Sequence, residues 1–194
     1  MRPYAALAAL DTALAATGRD RARRLTKPLL MPALVAARAG RSRTPLALGG
    51  LGDVALLGHT DGAFTAGLAA FLAGHLAWIR ELRPRSAGLL HQRPVAATPY
   101  LLAWAGLNAF LWPRTGRDRL PVLAYSTALL GTALVALDTG DPKTAAGGAL
   151  FLVSDTLLAL ERFAGVTLPA HEGLVMATYT SAQALLSSPG TAGR

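Results

Sequence analysis

The feature that most constrains this chain is a succession of apolar runs separated by short tracts rich in Arg, Gly and Pro. Runs of this kind are nearly free of charge and recur from one end of the 194 residues to the other. They call for hydrocarbon as their main solvent. In a bilayer every backbone N–H and C=O must be satisfied within the protein, and segments joined by tight turns meet that condition as helices. The expected fold class is therefore all-α. The chain reads as a polytopic membrane protein, one transmembrane helical domain over 1–194, built as a compact bundle of about eight helices.

Composition supports the same solvent. Residues of the hydrophobic class make up 52% of the chain and charged residues only 15%, against about 25% charged in an ordinary soluble domain. The net charge of +8 could suggest nucleic acid in a soluble protein. Here the arginines sit between apolar runs, where phospholipid headgroups meet them. Few aromatics accompany them, so no base-stacking platform is evident; nucleic acid is not an expected partner. The absence of cysteine removes disulfides, thiolate chemistry and Cys-based metal sites. Heavy use of Ala, Leu, Gly and Arg points to a bacterial gene and hence to the inner (cytoplasmic) membrane.

Helices are predicted near Pro3–Thr17, Lys27–Ala39, Thr44–Gly58, Gly62–Leu82, Pro94–Trp112, Leu120–Leu137, Thr144–Phe163 and Pro169–Ser188. The first three fall short of the ~20 residues that span a bilayer squarely. Arg2 and the run Tyr4–Leu10 have the outline of a secretion signal, but Asp11 interrupts it, and the stretch is taken as the first helix. Pro28, Pro45, Pro94 and Pro169 are placed at helix openings, where a missing N–H does no harm. Pro32 and Pro99 are placed inside helices, as kinks. Lysines and arginines divide almost evenly between the two faces, so the positive-inside rule sets no orientation.

The informative residues are the ionisable groups deep in apolar helices, because each costs at least a few kcal/mol unless it faces the interior or water. They are Asp11, Lys27, Asp53, His75 and Asp155. Asp53 and Asp155 have no countercharge within a turn of their own helices. An isolated carboxyl in hydrocarbon favours its neutral form, which suits a general acid near neutral pH. The competing reading is a structural tie to Lys27 or an arginine. Lys27, at the start of the second predicted helix, reads as an interfacial snorkelling lysine. His75 shares a face with Phe71, Trp78 and Ile79, the setting of a hydrogen-bonded core histidine. His59, His91 and His171 fall in or beside loops without metal-ligand spacing, so no metal is expected. Tyr100, Trp104 and Asn108 form one polar stripe and Tyr179, Gln183 and Ser187 another; each is either interhelical glue or a cavity wall.

Some apparent motifs fail. Gly50-x-Gly52-x-x-Ala55 lacks the strand a dinucleotide fingerprint requires, and its glycines fit close helix approach instead. His171-Glu172 lacks the second histidine of a zinc-protease helix, and no Gly-x-Ser-x-Gly elbow occurs.

Several segments, in order, resemble the YhhN family, the lysoplasmalogenase family of membrane proteins. They are Lys27-Pro28, Gly52-Asp53, Phe71-x-x-x-His75-x-x-Trp78, Gly148-Ala-Leu-Phe-Leu-Val-Ser154-Asp155 and Tyr179-x-x-x-Gln183, over residues 25–188. One departure is Trp78, where the family often has tyrosine. The resemblance implies an eight-helix fold and hydrolysis of the vinyl ether bond of lysoplasmalogens. The products would be a fatty aldehyde and glycerophosphoethanolamine or glycerophosphocholine, with no cofactor. It implies membrane lipids and a lysophospholipid substrate as partners and calls for no obligate protein partner. On this reading Asp53 and Asp155 are the catalytic acid and base, in an order the residues leave open. Lys27, His75, Ser154, Tyr179 and Gln183 bind substrate. The rivals are an ester hydrolase of ordinary lysophospholipids, a small proton-coupled lipid transporter or binding protein, and a structural membrane protein.

Overall fold

Helices follow one another from end to end in the computed structural model, which describes residues 1–38, 42–58 and 60–189. Among these residues there are nine α-helices and no strand. They are α1 (Arg2–Ala16), α2 (Asp20–Ala37), α3 (Arg43–Ala55), α4 (Asp61–Leu82), the single turn α5 (Leu89–Gln92), α6 (Thr98–Leu111), α7 (Arg119–Asp138), α8 (Pro142–Ala164) and α9 (His171–Leu186). Three helical stretches are long and apolar enough to cross a membrane: Asp61–Arg85, Gly116–Asp138 and Pro142–Ala164. The others are shorter. The 13 residues of α3 rise about 20 Å, against a hydrocarbon core of about 30 Å.

The packing order explains how short helices can serve. α1 packs on α2, α2 on α3, α3 on α4, α4 on α7, α7 on α8, α8 on α9, and α9 returns to α1. Seven helices thus close a ring, and α6 lies outside it, chiefly on α7. Glycine lets the ring tighten. A Cβ on Gly147 would come 2.9 Å from the Leu186 backbone nitrogen, and one on Gly148 would come 2.9 Å from Ala133 Cα. Backbone cannot step aside as a flexible side chain can, so α8 meets α9 and α7 at these positions only because no side chain intervenes.

The ring buries polar groups within an apolar core and exposes large apolar side chains on its outside. Asp11, Asp53, His75, Thr132, Ser154 and Gln183 are buried, whereas Leu25, Leu29, Leu51, Leu76, Leu102 and Leu120 are exposed. A water-soluble fold would invert that distribution. A surrounding bilayer accounts for it, and the all-α membrane bundle expected from the sequence is the architecture found.

Several local expectations need correction. Lys27 does not open α2, which begins at Asp20; Lys27 and Pro28 lie in its interior. Its first turn, Asp20 to Arg23, was hidden because charged residues there broke the apolar pattern used to place the start. Pro28 therefore joins Pro32 as an interior proline, freeing the carbonyls of Arg24 and Pro28 from helical bonds. Pro99 lies in the first turn of α6, where it needs no partner, so it does not kink that helix. Pro94 opens a 3₁₀ turn, Pro94–Ala97, rather than α6 itself. Pro169 precedes α9, whose cap is Ala170. Ala39 and His59 lie outside the described residues.

Candidate active site

Asp53 belongs to the inward face of α3, and the glycines around it determine what can reach it. A Cβ on Gly49 would fall 2.9 Å from Gln183 Nε2, and one on Gly52 would fall 2.5 Å from the Phe71 ring. Bare backbone at these two positions seats α3 against α9 and α4. The buried Asp53 side chain then accepts a hydrogen bond from the Tyr179 hydroxyl at 2.7 Å. Its other oxygen lies 3.6 Å from Lys27 Nζ. Gln183 donates to the Tyr179 oxygen at 3.3 Å, and its own carbonyl oxygen is buried without a partner. The Lys27 side chain is only 13% exposed, so it does not snorkel to the interface. It turns inward to Asp53, which therefore carries a countercharge from the neighbouring helix.

Asp155 lies across the ring interior on α8 and takes its hydrogen bond from the Tyr125 hydroxyl of α7. The Tyr125 oxygen is also 3.2 Å from His75 Nε2, and His75 Nδ1 is 3.2 Å from Thr132 Oγ1. Aromatic edges connect the two halves. Tyr179 meets Phe71 and Phe151 with ring centroids 6.0 and 5.5 Å apart, and Phe151 meets His75 at 4.6 Å. The two carboxyls thus share one interior, each on its own tyrosine. No lysine or arginine pairs with Asp155 among the described residues.

The sequence-derived candidates divide accordingly. Lys27, Asp53, Tyr179 and Gln183 form one network, and His75 joins Asp155 through Tyr125. Ser154 gives its hydroxyl to the Val175 carbonyl at 3.1 Å, a tie from α8 to α9. Ser187 holds Arg38 at the far end of α9. Asn108 bonds Ser126 of α7 and the Trp104 carbonyl, so that stripe acts as glue where α6 meets the ring. Asp11 is fully buried, accepting from Thr26 and lying 3.9 Å from Arg23. His171 begins α9, accepts from the Leu168 N–H and approaches the Leu157 carbonyl; it pins the turn between α8 and α9.

Tyr125 and Thr132 were missed. A search for charged intruders passes over a tyrosine in an apolar helix, although a phenol in hydrocarbon needs a partner for the same reason a carboxyl does.

A cavity of about 430 Å³ opens beside Lys27, at the ends where α2, α4 and α9 begin and α3 and α8 finish. Arg23, Arg24, Lys27 and Arg162 contribute positive charge to its wall, with Glu161 and Glu172 among them. Arg23 is committed to Glu172 and Asp20, and Arg162 stacks on Phe64. Arg24 has no ion pair among the described residues and is exposed at the mouth.

The YhhN family pattern matches residues 22–189. The chain belongs to the YhhN family. The YhhN match takes in every residue of the two carboxyl networks and leaves out all of α1. Two proteins named lysoplasmalogenase are each 37% identical to the chain over 146 residues, one from Mycobacterium bovis (strain ATCC BAA-935 / AF2122/97), the other from Mycobacterium tuberculosis (strain CDC 1551 / Oshkosh). The alignment covers 70% of this chain and 56% of each relative, so this YhhN chain spans little more than half their length. No solved structure matches it.

Proposed function

We propose that this protein is a membrane-embedded hydrolase that cleaves the vinyl ether bond of lysoplasmalogens. The products are a fatty aldehyde and a glycerophospho-base. The observation that carries the proposal is the pair of buried carboxyl networks, one of which reaches through Lys27 to the wall of a charged cavity. The YhhN membership and the name of the two mycobacterial relatives support the same reading. A lysolipid has matching polarity: a phosphate at one end, a single hydrocarbon chain at the other, and the scissile bond between them.

In this mechanism the phosphate rests near Arg24 and Lys27, and Asp155 is the general acid. Among the described residues no lysine or arginine pairs with Asp155, whereas Lys27 pairs with Asp53, so Asp155 is the carboxyl assigned to carry the proton. It delivers its proton to the outer alkene carbon. The π electrons of the double bond form the new C–H bond, and positive charge spreads over the inner carbon and the ether oxygen. Water adds to the inner carbon and returns a proton to the Asp155 carboxylate. The hemiacetal then breaks its bond to the glycerol oxygen, which takes a proton and leaves the aldehyde. One water is consumed and nothing is oxidised.

Asp53 supplies the second charge. Paired with Lys27 and bonded by Tyr179, it stays a carboxylate, and its field opposes the positive charge of the oxocarbenium ion. Tyr125 has one proton and two acceptors within reach. It bonds His75 while Asp155 is protonated and turns to Asp155 as that group ionises, stabilising the carboxylate as the proton leaves.

The test is incubation of the purified protein with alkenyl, acyl and alkyl lysolipids of one headgroup and chain length. Aldehyde from the alkenyl lipid alone is the expected result. Free fatty acid from the acyl lipid, with no aldehyde, would replace this reading with ester hydrolysis. Turnover of none of the three would remove the enzyme reading.

A further inference from the structure

Two smaller cavities flank Asp155. The first, about 60 Å³, is walled by Phe71, Tyr125, Asp155 and neighbouring apolar residues. It shares Leu56, Phe64, Leu158 and Arg162 with the charged cavity. The second, about 70 Å³, lies between α6, α7 and α8, with Ala103, Trp104, Leu107 and Leu111 of α6 forming one wall. Val122, Tyr125, Asp155 and Ala159 border both. The three spaces therefore adjoin in series, and Asp155 stands between the two inner ones.

We infer that the reacting end of the substrate lies in the cavity between Phe71 and Asp155 and that its hydrocarbon chain runs on from Asp155 beneath α6, whose inner face limits the chain length accepted. This site rests on the function proposed above. Its occupant is apolar because Leu107, Leu111, Val122, Leu129 and Leu152 make much of the inner wall and Asn108 and Ser126 bond each other at 3.0 Å; the Trp104 indole nitrogen is the buried wall atom without a partner among the described residues. Hydrocarbon driven from water fills such a space without needing a partner. The position of α6 fits the task. It stands outside the ring, Leu111 is its one buried residue, and Leu101, Leu102 and Phe110 are exposed. It forms a thin wall between the inner cavity and surrounding lipid. Seating the chain there brings the bond between chain and glycerol beside Asp155, while the phosphate remains with the cations.

Two measurements test this independently. The first compares kcat/KM for hexadecenyl and octenyl lysolipids of one headgroup in Leu107→Phe and Ala103→Phe. The ratio of long to short chain should fall about tenfold in at least one variant. A ratio within twofold of the wild type in both would overturn the inference.

The second needs no turnover and uses the unaltered protein. A lysolipid with a diazirine at the end of its chain is photolysed on the protein, and the labelled peptides are identified by mass spectrometry. Label is expected within residues 98–111 or 119–138, displaced by excess lysolipid and not by diacyl phospholipid. Label confined to other helices would overturn the inference, as would equal displacement by diacyl phospholipid, the mark of a space filled by bulk lipid. A wild type that releases no aldehyde yet labels on α6 or α7 would sink the vinyl ether chemistry and leave the chain site standing.

Discussion

The two ends of the helix ring are built on opposite plans. At one end, α2, α4 and α9 begin and α3 and α8 finish around a cavity of about 430 Å³ edged with cations. At the other end, where the same helices run the opposite way, side chains tie neighbours together. Arg38 bonds Ser187 and the Ala184 carbonyl, Ser42 bonds Glu81, and Arg85 donates to Thr144, itself held by Asp141. Asp138 accepts from Ser86 and from the Leu90 N–H. Short, specific bonds close one end, whereas the other keeps an exposed Arg24 free of ion pairs and leads inward to Lys27. The difference teaches which polar residues hold the fold and which are available to a ligand. Ion pairs occur at the open end as well, Arg23 with Glu172 and Arg162 with Asp61, so the cavity is what separates the two ends.

Substitutions should break this contrast in a definite order. Asp155→Asn has the largest expected effect, since a positioned general acid contributes about 10²–10⁴-fold. Aldehyde release should fall by that factor while the variant purifies and melts like the parent. Asp53→Asn should lose activity as well, through the lost carboxylate charge. Full turnover in either would remove that residue from the chemistry.

Lys27→Met comes next. Removing one partner of a buried ion pair costs about 3–5 kcal/mol, which should appear as a large drop in melting temperature in detergent. Adding Asp53→Asn to Lys27→Met should restore much of that stability and none of the activity. Independent, additive losses in stability would mean the pair is not coupled.

Tyr125→Phe should be milder, on the order of tenfold in kcat at little change in KM, as one hydrogen bond to a charged group is worth about 1.5–3 kcal/mol. A selective rise in KM would instead make Tyr125 a binding residue.

The smallest effects belong to the closed end. Ser42→Ala should lower stability by about 1 kcal/mol and leave kcat/KM within twofold of the wild type. A tenfold loss of activity there would erase the contrast between the ends.

Much of the fold was legible because membrane helices advertise themselves by solvent. The apolar runs of α4, α7 and α8 are nearly as long as the structure makes them. The start of α2 was not legible, since Asp20, Arg21, Arg23 and Arg24 carry no apolar period, though they are helical all the same. The ring order was not legible either. Nothing in a sequence says that α4 packs on α7 with α6 left outside, because those contacts join distant segments.

For the site, Asp53 and Asp155 stood out by their cost in hydrocarbon. The sequence could not choose between Lys27 and an arginine as the tie to Asp53, because that depends on how α2 turns relative to α3. Tyr125 carried no formal charge to draw notice, yet it joins His75 to Asp155.

The most direct measurement is hydrolysis of an alkenyl lysolipid in D₂O, with the aldehyde reduced as it forms and its deuterium located by mass spectrometry. Proton delivery to the outer alkene carbon should leave one solvent deuterium on the carbon next to the former carbonyl, with Asp155→Asn forming almost no product. Aldehyde without deuterium at that carbon, or undiminished labelled product from Asp155→Asn, would contradict acid catalysis by the buried carboxyl.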